Sequence, residues 1–213
     1  MKLPETIPLF PLPNVVFFPR MPLPLHIFEP RYRAMVRTAA RGARLIGMVL
    51  LRGDWQQDYY GRPPVFAVGT VGEMVRVEEL PDGRFNIVLR GVREYEIVRE
   101  LDRAEYREAT VAWRDPSGEA VPPRARETIA ALVGRYLAQR GRQVGKQELL
   151  RGSVDDETFV NFFAQHLDLP WLDKQALLEA PTLAERARRL ADVLEFELEE
   201  LRFHHAGSPE RAH

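Results

Sequence analysis

Five histidines, many carboxylates and no cysteine define the chemistry open to this 213-residue chain. Without a thiol there is no cysteine nucleophile, no thiolate metal site and no disulfide. Ser117, Ser153 and Ser208 all fall in loop-like sequence, and none occupies a Gly-x-Ser-x-Gly elbow. His26 lies in an apolar extended run near Glu29 and Arg31 and reads as a structural histidine with its partners satisfied; His166, after an aromatic helix face, reads the same way. His204 and His205 neighbour Glu197 and Glu200, but adjacent histidines point to different helix faces, so no pair has zinc-ligand spacing. The clusters Glu78-Glu79, Asp155-Asp156-Glu157 and Glu199-Glu200 lack the apolar pocket that acid–base work requires, and read as caps and solvated faces. The nearest approach to a phosphate cradle, Gly141 to Gln147, is one residue short of Gly-x-x-x-x-Gly-Lys-Ser/Thr and lacks its hydroxyl. The expectation is no catalytic residue, no metal and no cofactor.

Binding is the chemistry that remains. Phe17, Phe18, Met21, Trp55, Tyr59 and Tyr60 fall in or beside loops, where exposed apolar groups mark peptide-binding sites. Core burial is the better account of Phe17 and Phe18. Trp55, Tyr59 and Tyr60 are the stronger set, because Gly53, Gly61, Pro63 and Pro64 make 53–64 an exposed loop. Replacing those three together is expected to weaken binding without moving the melting temperature. The formal charge is −1, from 30 basic and 31 acidic residues, and supplies no global field for nucleic acid or anionic membrane. Only Lys2, Lys146 and Lys174 among the basic residues are lysine, a bias that suits ion pairing to carboxylates.

These side chains need a scaffold, and 45% hydrophobic residues suffice for a core. From Ile7 to Pro24, apolar pairs are broken by prolines so densely that helix is impossible and short extended segments must follow. No cationic leader or small-residue cleavage site precedes them. Strands are expected at 45–52, at 65–79 with Val65, Ala67, Val71, Val75 and Val77 on one face, and again from Phe85, with a last strand at 106–113. Pro81-Asp82-Gly83 is a hairpin turn, and Gly91 is placed at a bulge. Pro30 opens the one helix of this half, to Arg41, with Tyr32, Met35 and Val36 on its inner face. After Pro122-Pro123 the period becomes 3.6. Ile129, Leu132, Val133, Tyr136 and Leu137 define one helix, and Phe159, Phe162, Phe163 and Leu167 a second. A third runs from a cap at Asp168 to Leu178. The fourth opens with a Thr182-x-x-Glu185 capping box. The fold class is α+β, with a β-rich pseudo-barrel over 1–118, a four-helix bundle over 119–213, and a frayed tail after 206.

Two blocks of sequence carry a resemblance. The first runs from Ile7 through Pro24, His26, Phe28, Glu29, Pro30, Arg31 and Tyr32; the second joins Gly69-Thr70 to Asp82-Gly83 and Gly91. Together they resemble the N-terminal, substrate-binding domain of the Lon ATP-dependent proteases, over about residues 5–203. The resemblance implies a PUA-like β subdomain, trailing helices and a structural role for the signature residues, with Pro30 opening the helix, Arg31 in an ion pair and Tyr32 packed. It also implies a stand-alone domain without the ATPase and protease modules, hence not an enzyme, acting in a bacterial cytoplasm. The expected partners are unfolded or partly unfolded polypeptides or a partner protein, through exposed apolar segments, as an adaptor in quality control. No membrane role is expected. The alternative is RNA binding, as PUA-like barrels do elsewhere. Oligomeric state, client and pathway stay open.

Overall fold

The structure, a computed structural model, describes residues 3–102, 105–115, 120–142 and 154–206, without the side chains of 204–206. The expectations placed on 116–118, Gly145-Lys146, Ser153, the side chains of His204 and His205, and the tail beyond 206 lie outside these residues. Two compact units form, one of Met1–Asp115 with Asn161–Glu179, the other of Pro116–Val160 with Ala180–His213. One break falls beside the composition shift at Asp115. The other two bracket a helical stretch that belongs to the β-rich unit.

Six strands make the first unit: β1 (Thr6–Leu12), β2 (Pro22–Ile27), β3 (Leu45–Leu50), β4 (Val68–Glu79), β5 (Phe85–Leu101) and β6 (Glu108–Trp113). Their order is β2-β5-β4-β3-β1-β6, and β6 also pairs with β5, so five strands close into a ring. Closure works because β5 is long: its first half pairs with β2 while its second half, from Tyr95, pairs with β6. Among the described strands only β1 and β3 run parallel. Ile7, Leu9, Leu45, Val71, Tyr95, Ala109 and Val111 fill the interior. The Tyr95 ring is admitted by glycines at 47 and 69, where a Cβ would strike the ring or its hydroxyl. That hydroxyl donates to the Met48 carbonyl at 3.0 Å, and burial pushes its pKa up.

Two register shifts shape β4 and β5. One falls beside Gly91, as expected, where Gly72 pairs with Gly91 and Val71 with Arg93. The other was not foreseen: Met74 pairs with Leu89 and Arg76 with Val88, so Val75 is the extra residue. That insertion reverses the alternation, burying Met74 and leaving Val75 exposed, against the period-two face expected there. The Asp82-Gly83 turn forms, with Gly83 at φ +78°.

β2 has a single partner strand, and its outer edge carries prolines at 22 and 24, which have no amide donor. The helix α1 (Pro30–Arg41) buries Tyr32, Met35, Val36 and Ala39, and the Tyr32 and Phe10 rings lie 4.2 Å apart.

Among the described residues four helices follow: α2 (Pro123–Gln139), α3 (Asp156–His166), α4 (Trp171–Leu178) and α5 (Leu183–Ala206). Within the second unit α2 and α5 pack together through Ile129, Leu132, Val133 and Tyr136 on one and Ala187, Leu190, Leu194 and Leu198 on the other. Asp155 accepts the Thr158 amide at 2.7 Å and caps α3. The Glu185 amide donates to the Thr182 hydroxyl at 3.1 Å, but the Glu185 carboxylate turns to Arg188 and Arg189, so only half the capping box forms. Pro170, not Asp168, occupies the N-cap of α4, since its fixed φ and missing amide suit a helix start. Phe162, expected in the core, is half exposed and stacks on His166 at 4.5 Å.

The end of α3 is stitched to the chain before β2 by two amides one helical turn apart. The Gln165 side chain accepts the Phe18 amide and donates to the Pro22 carbonyl, each at 3.0 Å. Asn161 donates to the Pro19 carbonyl at 3.2 Å.

Candidate functional site

Glu29, Pro30, Arg31 and Tyr32 read from sequence as architecture, and Trp55, Tyr59 and Tyr60 as surface; folding brings them into one cluster. Pro30 starts α1 and throws Glu29 and Arg31 to the helix entry, where Arg31 Nε pairs with Glu29 Oε2 at 3.1 Å. The same guanidinium donates to the Tyr59 carbonyl at 3.3 Å and lies 4.6, 5.2 and 6.0 Å from the ring centres of Tyr32, Tyr59 and Tyr60. Such cation–π contacts hold its plane. The Tyr59 hydroxyl closes the circuit on Glu29 Oε1 at 2.8 Å. Burial, then the hydrogen bond to Glu29, raises the Tyr59 pKa, and burial pushes Tyr32 up to about 12, so both hydroxyls stay protonated donors.

A single turn of 3-10 helix at Trp55–Asp58 interrupts the expected loop, and the loop is tied at several further points. Asp58 accepts the Arg62 amide at 3.1 Å. Arg107, nine-tenths buried, donates to the Pro63 carbonyl at 2.7 Å while its fork grips Glu100. Arg62 pairs with Asp102 at 2.6 Å. On this frame Tyr60 is 87% exposed, Trp55 is half-buried, and the three rings meet edge to face at 5.8 and 5.2 Å. Tyr59 therefore anchors the loop as well as facing outward, so exchanging all three aromatics would disturb more than the surface.

The other residues singled out from sequence divide. Phe17, Phe18 and Met21 are interior, at 2, 0 and 3% exposure, and Phe17 occupies the space over Gly72. Their side chains brace the barrel because the 17–21 chain runs so close to Gly91 that a Cβ there would meet the Phe18 carbonyl. His26 is exposed on β2 with both ring nitrogens engaged, Nδ1 with Asn86 at 2.8 Å and Nε2 with Arg84 at 3.3 Å. Thr70 and Gly69 are interior, and Asp82 brackets the hairpin by accepting the Arg84 amide at 3.0 Å. Phe28 is 60% exposed, a surface aromatic that reading the signature as architecture missed. Arg62, Tyr106 and Arg107 were missed too, since Arg62 and the Tyr106-Arg107 pair lie in separate segments that only closure of the barrel brings together. Among the described residues no group of three His, Asp or Glu side chains could hold a metal, and no helix is long and apolar enough to cross a membrane.

Comparison with known proteins adds the lineage. Residues 6–195 match the family model of the ATP-dependent protease La (LON) substrate-binding domain. The chain is 28% identical over 210 residues to the Lon protease of Trichlorobacter lovleyi, covering 94% of this chain and 25% of that one. It is 26% identical over 196 residues to Lon protease 2 of Myxococcus xanthus, covering 90% and 24%. It thus spans about a quarter of the relatives it matches. Among solved structures, a Lon N-terminal domain protein from Xanthomonas campestris superposes with a TM-score of 0.63 at 23% identity, covering 88% of this chain and 97% of that one. The N-terminal domain of the Mycobacterium avium complex Lon protease gives 0.67 at 20%, covering 90% and 98%.

Proposed function

Because this chain belongs to the ATP-dependent protease La (LON) substrate-binding domain family, we propose that it is a non-enzymatic module of the cytoplasm that holds exposed apolar segments of unfolded polypeptides, as an adaptor in protein quality control. The observation that supports this reading is the tethered aromatic loop, with Trp55 and Tyr60 presented from a frame fixed by Arg31, Arg62 and Arg107. A loop already ordered before binding loses little entropy when a flexible chain settles on it, and aromatic rings offer large contact area for few rotatable bonds. Affinity for a single segment is on the order of micromolar, because the bound chain must itself be ordered.

The test is fluorescence anisotropy with a labelled unfolded peptide rich in phenylalanine and leucine and with a labelled structured RNA. The reading expects peptide binding that changes little between roughly 50 and 500 mM salt. It expects loss of that binding in the Trp55→Ser, Tyr60→Ser double variant, which leaves Tyr59 and its anchor in place. RNA binding that collapses with salt, beside no peptide binding, would replace it with the RNA reading. Purified protein is further expected to hydrolyse neither ATP nor casein above a mock preparation.

A further inference from the structure

Beside Tyr60 the barrel mouth holds a recess of about 250 Å³ lined by Arg31, Tyr32, Tyr60, Gly61, Arg62, Glu105, Tyr106 and Arg107. That volume is below the range of pockets for whole small-molecule ligands and suits one or two side chains. Three guanidiniums face one carboxylate in this lining; the acids that pair with them, Glu29, Asp102 and Glu100, stand outside it.

The pairing leaves donors over. Arg31 spends Nε on Glu29 and Nη2 on the Tyr59 carbonyl. Arg107 donates one hydrogen bond from each terminal nitrogen, leaving one N–H on each. Arg62 reaches the Leu101 carbonyl only at 3.4 Å through Nη1. Because Arg31 is clamped between tyrosine rings and Arg107 is buried, these forks are fixed in place before any ligand arrives.

We propose that this recess is a carboxylate subsite, seating an acidic group of a bound polypeptide while Tyr60 and Trp55 hold an aromatic neighbour. The inference rests on the polypeptide-binding reading and narrows it to segments in which aromatic and acidic residues adjoin. Charge magnitude separates a carboxylate from a polyanion. Counting the paired acids, three arginines meet four carboxylates among the described residues, so the surroundings have no positive field to draw phosphate-rich partners from a distance. A single carboxylate gains instead from short, charge-assisted hydrogen bonds to a planar fork.

The experiment uses capped, amidated, fluorescein-labelled peptides with one glutamate between phenylalanines, the same peptide with glutamine, and the glutamine peptide with a free terminal carboxylate. The glutamate peptide is expected to bind about tenfold tighter than its glutamine counterpart, the scale of one charge-assisted hydrogen bond. Arg62→Gln should collapse that ratio of affinities, whereas any loosening of the loop frame through the lost Asp102 pair weakens both peptides alike and cancels in it; Arg62→Lys, which keeps the charge without the fork, should retain part of the preference. If the free-carboxylate peptide matches the glutamate peptide, the subsite reads chain termini as well as side chains. Equal binding of the glutamate and glutamine peptides to the parent would overturn the inference and leave the polypeptide reading intact. So would equal loss of both in Arg62→Gln, or displacement of the glutamate peptide by millimolar inorganic phosphate. Failure of every peptide to bind overturns the polypeptide reading and this inference with it.

Discussion

The Tyr59 hydroxyl donates to the Glu29 carboxylate at 2.8 Å across 30 residues of chain, joining the helix-opening signature to the aromatic loop. Tyr59→Phe removes this bond without removing the ring. The expected loss is about 1 kcal/mol, the net worth of one partly buried hydrogen bond to a charged acceptor. Chemical denaturation measures it, and limited proteolysis should show faster cleavage within 53–64. An unchanged midpoint and cleavage rate would mean the loop is held without this bond.

Gly69→Ala places a methyl against the Met48 carbonyl and the Tyr95 hydroxyl. Neither can yield, because one is backbone in the barrel wall and the other is bonded to it. The substitution is expected to cost about 3 kcal/mol, at the upper end for an overpacked core. Gly42→Ala is the control, since the added carbon meets its neighbours at 3.7 and 3.8 Å and φ is −112°. Its midpoint should stay within about 0.5 kcal/mol of the parent.

Gln165→Ala strips a partner from the Phe18 amide and from the Pro22 carbonyl together. The expected destabilisation is about 2 kcal/mol, because two backbone groups lose their bonds at once. Gln165→Glu keeps the acceptor for Phe18 and sets a charge against the Pro22 carbonyl, so it should not rescue. Thermal melts of the three proteins decide; parity of the alanine variant with the parent would show that water replaces both bonds.

The Glu185 carboxyl is held down to about 2 from its usual 4.5, first by its hydrogen bond from Arg188 and then by that from Arg189. A pKa lowered by folding stabilises the native state above the unfolded value, and that contribution fades as pH falls through the folded value. The melting temperatures of the parent and of Glu185→Gln should therefore differ most above about pH 5 and converge as pH drops from 4.5 to 2. The group is exposed, so the difference is small and shrinks in high salt. A gap that stays constant down to the lowest pH would contradict this account.

Local chemistry was legible where one residue decides it. Pro30 fixed where α1 starts, Asp82-Gly83 the hairpin, and the 3.6-residue spacing of Ile129, Leu132, Val133 and Tyr136 the inner face of α2. What escaped depends on pairing across the chain. The bulge at Val75 exists only relative to β5, so a run of alternating valines could not reveal it. Trp55 and Tyr60 were visible as loop aromatics, but the recess beside them was not, because α1, the loop and the residues before β6 supply its walls. Phe17 and Phe18 read as core rather than surface and are buried, but what holds that proline-rich stretch inward was hidden, because Gln165 and Asn161 come more than 140 residues later.

The closed ring leaves β2 as the one strand among those described with a free flank, and that flank is poor in donors: Pro22 and Pro24 offer no amide, and the Pro22 carbonyl is already taken by Gln165. A visiting chain finds almost no ladder to join, so it cannot be read by its backbone, which is common to every polypeptide. On the polypeptide-binding reading proposed above, recognition is thrown onto side chains, and discrimination between one unfolded segment and the next becomes a matter of composition. The same flank gives sticky, half-unfolded chains no template on which to grow a shared sheet, so a molecule built this way can meet aggregation-prone material without seeding it.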